Sequence, residues 1–300
     1  MTTRAFPVDI EPITPPPRWR IGLFENSGAV PLPQDALARL AGGIAYESLD
    51  PTIDRESGTF DPCDDTDEDA FEESEEVSAF AWGLMQGSKC STLTGDDGTL
   101  AAVEARAEAL LLGKSSYLSE YVFWTGEVQG TDFGTLGWPN PWLTNAATLT
   151  DLTPGDGEAG PVEAFGLINE YLADTLQGLR GVIHVPAQLL PYLSFYGLVV
   201  RDGFTLGTTL GDHLVIAGSG YTGSGPGNTP QPNNRAYIYA TSMVRVGQSP
   251  IETRSAYDRA NNKARGLAFR VALAEFDGNA HAGVRVCLTD PGPECAPVGS

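Results

Sequence analysis

Between residues 181 and 288 short apolar runs, Gly-rich breaks and one helical stretch follow one another without gathering a recognisable catalytic cluster. Gly181-Val-Ile-His-Val-Pro186 opens the region, Ala240-Thr-Ser-Met-Val-Arg-Val246 lies midway, and residues 267–288 close it. In Leu267, Phe269, Val271 and Leu273 every second residue is large and apolar, the period that places one face of a strand against a core. Asp277-Gly-Asn279 then makes a turn, and residues 284–288 pair back. So much order with so little reactive chemistry points to a chain whose product is a shape.

The remaining elements follow from the same periodicities. Leu198-Val-Val200 and Phe204-Thr-Leu206 flank Arg201-Asp-Gly203, a hairpin signal. Residues 182–185, 214–217, 236–240 and 243–246 read as strands, and 187–194 as a helix opened by Pro186 and distorted by Pro191. Residues 218–232 hold five Gly and three Pro, which predicts a flexible loop. Upstream, Gly160-Pro161 and Glu163 signal a helix over 161–177, with Val162, Phe165, Ile168, Leu172 and Leu176 on one face. Residues 100–112 are strong helix formers, and Gly113 is the expected stop. Phe80-Ala-Trp-Gly-Leu-Met85 predicts a strand that breaks at Gly87-Ser-Lys-Cys90. The class is α+β, with helices early and antiparallel strands late.

The first 33 residues carry prolines at 7, 12, 15, 16, 17, 31 and 33, which excludes regular helix and favours an extended arm. A short helix is predicted over 34–40, stopped by Gly42-Gly43. Between Asp61 and Glu76 stand ten carboxylates and no basic residue, a solvated loop by self-repulsion. The net charge of −21 argues against a nucleic-acid groove, which needs concentrated positive charge. No run approaches the roughly 20 apolar residues of a membrane span, and the first residues lack the apolar centre of a secretory signal. An intracellular protein without a membrane segment is expected. Cys63, Cys90, Cys287 and Cys295 are too dispersed for a zinc framework and are read as free thiols, Cys287 as a small buried hydrophobe.

Each candidate site has a plainer reading beside it. Gly218-Ser-Gly-Tyr-Thr-Gly223 fits a dinucleotide pattern, yet Ser224-Gly-Pro-Gly227 follows where a helix N-terminus would have to receive the pyrophosphate. Asp65, Asp67, Asp69, Glu73 and Glu76 match calcium-loop spacing, but Ala70 stands where the sharp turn needs Gly. His184 lies inside an apolar run and reads as a packed, hydrogen-bonded residue, whereas His213 beside Asp212 could form a polar dyad with a hydroxyl. His281 is the third histidine, and no nucleophile elbow or metal motif accompanies the three. Trp19, Trp82, Trp124, Trp138 and Trp142 are read as packing residues, although an exposed row of them would bind carbohydrate or a partner. No catalytic, cofactor-binding or metal residue is assigned.

The order of elements resembles that of HK97-type phage major capsid proteins. The resemblance implies an extended N-terminal arm at 1–45 and a projecting loop at 46–98, with residues 80–85 as its returning strand. It implies a spine helix and peripheral domain at 99–185, an inserted axial domain at 186–248, and return strands with a C-terminal tail at 249–300. It is one of order and texture, without a diagnostic motif; the spine helix reads as short and the acidic run is unusual for a projecting loop. With lysine only at 89, 114 and 263, isopeptide cross-linking is not carried over.

On that resemblance the expected function is a structural capsid subunit that self-assembles into pentamers and hexamers of an icosahedral shell around phage DNA. Its partners would be copies of itself and other head proteins such as portal, scaffold or decoration protein. DNA would lie nearby without sequence-specific contact, and no membrane would be involved. The location would be the virion, after assembly in the host cytoplasm. The 218–232 loop would sit near a capsomer axis with a pliable backbone. Removal of residues 1–33 would leave dissolved protein unable to form particles. Another virion component (decoration, tail or receptor-binding protein) is the second reading, and a carboxylate-dependent hydrolase the third.

Overall fold

The computed structural model describes residues 21–27, 30–32, 44–47, 76–79, 82–91, 100–127, 140–155, 157–203, 205–209, 213–258, 263–276 and 280–288. Within these the protein is built on two large sheets, a separate two-stranded ribbon and one long helix. Strand β13 (Lys263–Phe276) is the axis of the first sheet and is bonded along both edges. On one edge lies β4 (Trp82–Ser91), from Trp82 opposite Ala272 to Ser91 opposite Lys263. On the other lie β11 (Val244–Gln248) and then β12 (Glu252–Asp258), both antiparallel to β13. The gap between them is closed by Ser249, whose hydroxyl accepts the Val271 amide at 2.9 Å and whose carbonyl accepts the Arg270 guanidinium at 2.7 Å.

The predicted break at Gly87 is absent. Gly87 sits opposite Leu267 within a ladder of ten paired residues, and tertiary pairing with β13 overrides the weak strand preference of glycine. Phe80 and Ala81 lie outside the described residues.

Helix α2 (Leu100–Thr125) lies across this sheet and runs twelve residues beyond the stop expected at Gly113. An interior Gly costs about 1 kcal/mol relative to Ala. Full burial of Val122 or Phe123 contributes roughly 1.5–3 kcal/mol each, so packing of the second half decides the outcome. The buried residues Val103, Ala107, Leu111, Ser115 and Val122 keep one helical face continuous past the glycine.

The face of β13 that receives α2 also differs from expectation. Ala264, Gly266, Ala268 and Ala272 are buried, and a Cβ at Gly266 would stand 2.4 Å from the Val103 carbonyl oxygen. Leu267 and Phe269 point the other way, on the side of exposed Met85, and are only half-buried. Small side chains let the helix approach backbone to backbone, so the stripe of large residues was a misleading guide to the helix-facing side.

The second sheet has the order β5-β14-β10-β6-β9-β8-β7. Its strands are β5 (Thr150–Asp151), β6 (Val182–His184), β7 (Val199–Asp202), β8 (Thr205–Thr208), β9 (Leu214–Ile216), β10 (Arg235–Thr241) and β14 (His281–Cys287). The predicted hairpin is present, with Gly203 at φ +59° following β7. Alternation along the strands separates two cores. Val182, Leu214, Ile216, Tyr237 and Tyr239 face the first sheet and α2, whereas Ile183, Val215, Ile238, Ala240 and Val284 face the opposite side. There α3 (Pro161–Leu176) covers the sheet through Phe165, Ile168, Leu172 and Leu176, with Pro161 opening it as predicted, while Val162 is exposed. A 3-10 turn (Ala187–Leu189) leads into the short α4 (Leu190–Phe195). Helix α3 and strand β14 thus pack together, while β13 and β14, consecutive in sequence, belong to different sheets.

The N-terminal region departs from a plain extended arm. Residues Leu23–Asn26 form α1 in the proline-free window between Pro17 and Pro31, and Val30–Pro31 form β1, parallel to β11. Leu23, Phe24 and Leu32 are buried, so this part of the leader belongs to the fold. Strands β2 (Ile44–Glu47) and β3 (Glu76–Ala79) pair antiparallel, bracketing the acidic run in sequence. The helix predicted over 34–40 and the run 61–75 lie outside the described residues.

Candidate functional site

The chemistry concentrates where the last turn of α2 is clamped between the two sheets. Glu120 is fully buried and accepts three hydrogen bonds from two distant stretches of chain. The Leu23 amide donates to Oε1 at 2.9 Å; the Ser219 hydroxyl and the Gly220 amide donate to Oε2 at 2.8 and 3.0 Å. Burial pushes its carboxyl up from the usual carboxylate range, against the lowering pull of these donors, and the nearby Glu25 carboxylate adds to the rise.

One turn on, the Trp124 indole N–H donates to Ser224 Oγ at 3.0 Å, and its ring lies 4.8 Å from that of Tyr221 and 5.0 Å from that of Tyr239. The Asn228 amide donates to the Thr125 carbonyl at 2.9 Å and to Glu127 Oε1 at 3.0 Å. A Cβ at position 220 would meet the Tyr117 carbonyl oxygen at 2.3 Å, which demands glycine there. The 218–232 segment is therefore without strand, as predicted, and residues 219, 220, 224 and 228 within it are hydrogen-bonded to α2. No α-helix follows Gly223: the chain passes into a 3-10 turn (Pro226–Asn228), so a pyrophosphate has no helix end to meet.

The histidines are structural. His184 bonds through Nδ1 to the Tyr221 hydroxyl at 2.9 Å and through Nε2 to Thr241 Oγ1 at 3.0 Å. Burial pushes its pKa down to about 3, helped by His281. His281 bonds Thr148 Oγ1 and the Leu143 carbonyl, and burial lowers it to about 4. His213 Nδ1 accepts the Gly181 amide at 3.1 Å, tying β9 to β6 where a hydroxyl dyad was conceivable, and Asp212 lies outside the described residues.

Of the calcium-spaced acids, Glu76 begins β3, and Asp65, Asp67, Asp69 and Glu73 lie outside the described residues. Among the described residues no three His, Cys, Asp or Glu converge as a metal site, and no helix is long and apolar enough to cross a membrane. Trp82 and Trp124 are buried and Trp142 half-buried, which fits packing; Trp19 and Trp138 lie outside the described residues. Cys287 is buried in β14 as expected, but it is disulfide-bonded where a free thiol was predicted. Its spacing from the other cysteines gave no pairing signal.

The joint at Glu120 and Trp124 escaped the sequence reading because the helix was ended at Gly113. Continuing the buried spacing from Val103 through Val122 would have brought both residues onto the helix.

No protein-family model matches the chain, and no curated protein matches it. Solved structures do. The capsid of Ralstonia phage GP4 is 11% identical with a TM-score of 0.55, covering 83% of this chain and 84% of that one. The capsid of the native GTA particle, computed with C5 symmetry, is 15% identical with a TM-score of 0.53, covering 94% and 95%. The empty GTA particle gives 15%, 0.51 and the same coverage. At these identities the likeness fixes the architecture, and that architecture is the phage-capsid fold of the HK97 type.

Proposed function

We propose that this chain is a shell subunit whose copies associate into five- and six-membered rings and close an icosahedral head around phage DNA. The observation that supports this most is the fold itself: two sheets joined by a long helix, an arrangement shared over most of the chain with capsid subunits. The chemistry agrees with a structural role. The polar groups at the joint of α2 are hydrogen-bonded to one another in positions where they fix packing, and His184 and His281 are held neutral by burial.

In this reading α2 is the spine, and at 26 residues it has the length that the sequence alone denied it. The β2–β3 ribbon is the root of the projecting loop that carries the acidic run. The long-strand sheet with α2 forms the peripheral part, and the seven-stranded sheet with α3 and α4 forms the axial part. Against the bounds expected from the sequence, that division would take β5, α3, β6 and β14 to the axial side, with the seven-stranded sheet, and β11 to the peripheral side, with β13. Repeated heterologous contacts around rotational axes close such a shell. A net charge of −21 suits a wall that lies beside DNA without gripping it. Portal, scaffold and decoration proteins are the expected head partners, with assembly in the host cytoplasm and the virion as final location.

Sedimentation of the full chain tests the proposal. Fast-sedimenting, nuclease-indifferent particles are expected, and a single slow boundary at every concentration would contradict it.

A further inference from the structure

We propose that Cys287 is joined to Cys295 of the same chain, a disulfide that staples the C-terminal tail to the end of β14 in an oxidising medium and releases it in excess thiol. The staple concerns the single folded chain and holds whether or not the chain builds a shell.

Cys287 is disulfide-bonded and only 2% exposed, at the last position of β14. Its backbone is held from both edges of the strand. The Cys287 amide donates to the Ala159 carbonyl at 3.0 Å, and the next amide, of Leu288, donates to the Asn234 carbonyl at 2.8 Å. The sulfur is therefore fixed in place, and its partner has to come to it. The chain offers Cys63, Cys90 and Cys295.

Cys90 is out of reach. It stands opposite Ala264, twelve residues along β13 from Phe276, which is about 40 Å at the rise of a strand. Phe276 meets His281 at the start of β14, with ring centroids 5.1 Å apart. Cys287 lies six residues beyond His281, or about 20 Å. Even with β14 running straight back along β13, the two cysteines would stand roughly 20 Å apart, against the roughly 7 Å between Cα atoms that a disulfide tolerates.

Cys63 and Cys295 differ in the ring that the bond would close. Pairing with Cys63 closes 225 residues, whereas pairing with Cys295 closes nine. Encounter falls roughly as the three-halves power of ring size, so the short ring is favoured about a hundredfold. Pro291-Gly-Pro293 stands midway between Cys287 and Cys295, a turn signal that brings the tail back towards β14.

The bond forms by exchange with a small-molecule disulfide. The Cys295 thiolate attacks one sulfur of that reagent, giving a mixed disulfide and releasing one small thiol, which takes up the proton that Cys295 gave away. The Cys287 thiolate then attacks the Cys295 sulfur and expels the second small thiol, which takes up the proton from Cys287. Two protein thiols are oxidised by two electrons in all, and one small disulfide is reduced to two thiols. Excess small thiol runs both steps backward and frees the tail.

Thiol mapping of the full chain tests the pairing. The protein is equilibrated with oxidised glutathione, alkylated in denaturant without reductant, and cut with pepsin at low pH, where exchange is suppressed. Cleavage after Leu288 separates the two cysteines, so the expected product is one linked pair that joins Cys287 to the peptide 289–300. Cys63 and Cys90 should stand outside any protein disulfide, and prior reduction with dithiothreitol should give four alkylated cysteines. Linkage of Cys287 to Cys63, to Cys90 or to another chain, or an unlinked Cys287 after the oxidising treatment, would overturn the proposal. Hydrogen exchange then measures the staple: reduction should lower protection severalfold over residues 284–288 and leave β6 unchanged. Cys295→Ser should reproduce that loss under oxidising conditions, and Cys63→Ser should not. Equal protection in the oxidised parent and in Cys295→Ser would overturn the staple, and the mapping of the parent decides the pairing even where a variant fails to fold.

Discussion

Gly266 of β13 and Val103 of α2 meet backbone to backbone: a methyl group on Gly266 would stand 2.4 Å from the Val103 carbonyl oxygen. The approach seats the long helix on its sheet along Ala264, Ala268 and Ala272. Gly266→Ala should force helix and strand apart and destabilise by about 1–3 kcal/mol. Thermal unfolding followed by circular dichroism reads this directly. A variant melting with the parent would show that the contact is slack.

Gly113 presents the opposite case. It lies exposed inside α2 with nothing within 4 Å of a built Cβ and an ordinary helical backbone. Gly113→Ala should stabilise by about 0.5–1 kcal/mol, because the chain gives up less backbone freedom on folding. The same melting experiment should show an upward shift.

Trp124 is fully buried, and its indole N–H is satisfied by Ser224 Oγ at 3.0 Å. Ser224→Ala removes that acceptor and leaves a buried donor unpaired, at a cost of about 1–3 kcal/mol. Denaturant titration monitored by tryptophan fluorescence should show the loss as a lower midpoint. An unchanged midpoint would mean that another acceptor is within reach.

His184 and His281 predict sensitivity to acid. Their native pKa values are lowered to about 3 and about 4, from 6.5 when unfolded, so the unfolded chain binds more protons between those limits. The stability that comes from keeping them neutral is complete above pH 6.5 and is lost as pH falls towards 4 and then 3. The melting temperature should fall across that window. His184→Gln and His281→Gln, each less stable than the parent at pH 7, should lose less on acidification. Glu120 has the opposite sign, so parent and variants must be compared at each pH.

How much of this was legible depended on whether local pattern or distant pairing governed each segment. Helix α3 was readable because Pro161 marks its start and Phe165, Ile168, Leu172 and Leu176 recur at helical spacing. The β7–β8 hairpin was readable because Arg201-Asp-Gly203 encodes a tight turn. At Gly87, Gly113 and Gly266 the local signal pointed the wrong way. The first is held in a strand by β13, the second in a helix by the packing of Val122 and Phe123, and the third allows a contact that no side-chain pattern announces. The part played by residues 21–32 in the core was hidden for the same reason. Pro31 reads as an arm residue until β11 supplies its partner. That no α-helix follows Gly223 was visible in Ser224-Gly-Pro-Gly227. The Glu120 joint joins residues about a hundred positions apart and leaves no local trace.

Because Leu23, Phe24 and Leu32 are core residues, a deletion that probes the arm without dismantling the fold must stop before residue 21. Chain lacking residues 1–20 should keep the melting behaviour of the parent while losing assembly. Loss of the folded state would place those residues in the core as well.

Electron microscopy of the expressed full-length chain puts the shell reading to its most direct test. Closed hollow particles of uniform diameter, with five- and six-membered rings in their walls, are the predicted result. Isolated single subunits at every concentration and ionic condition, with no rings or particles, would contradict it.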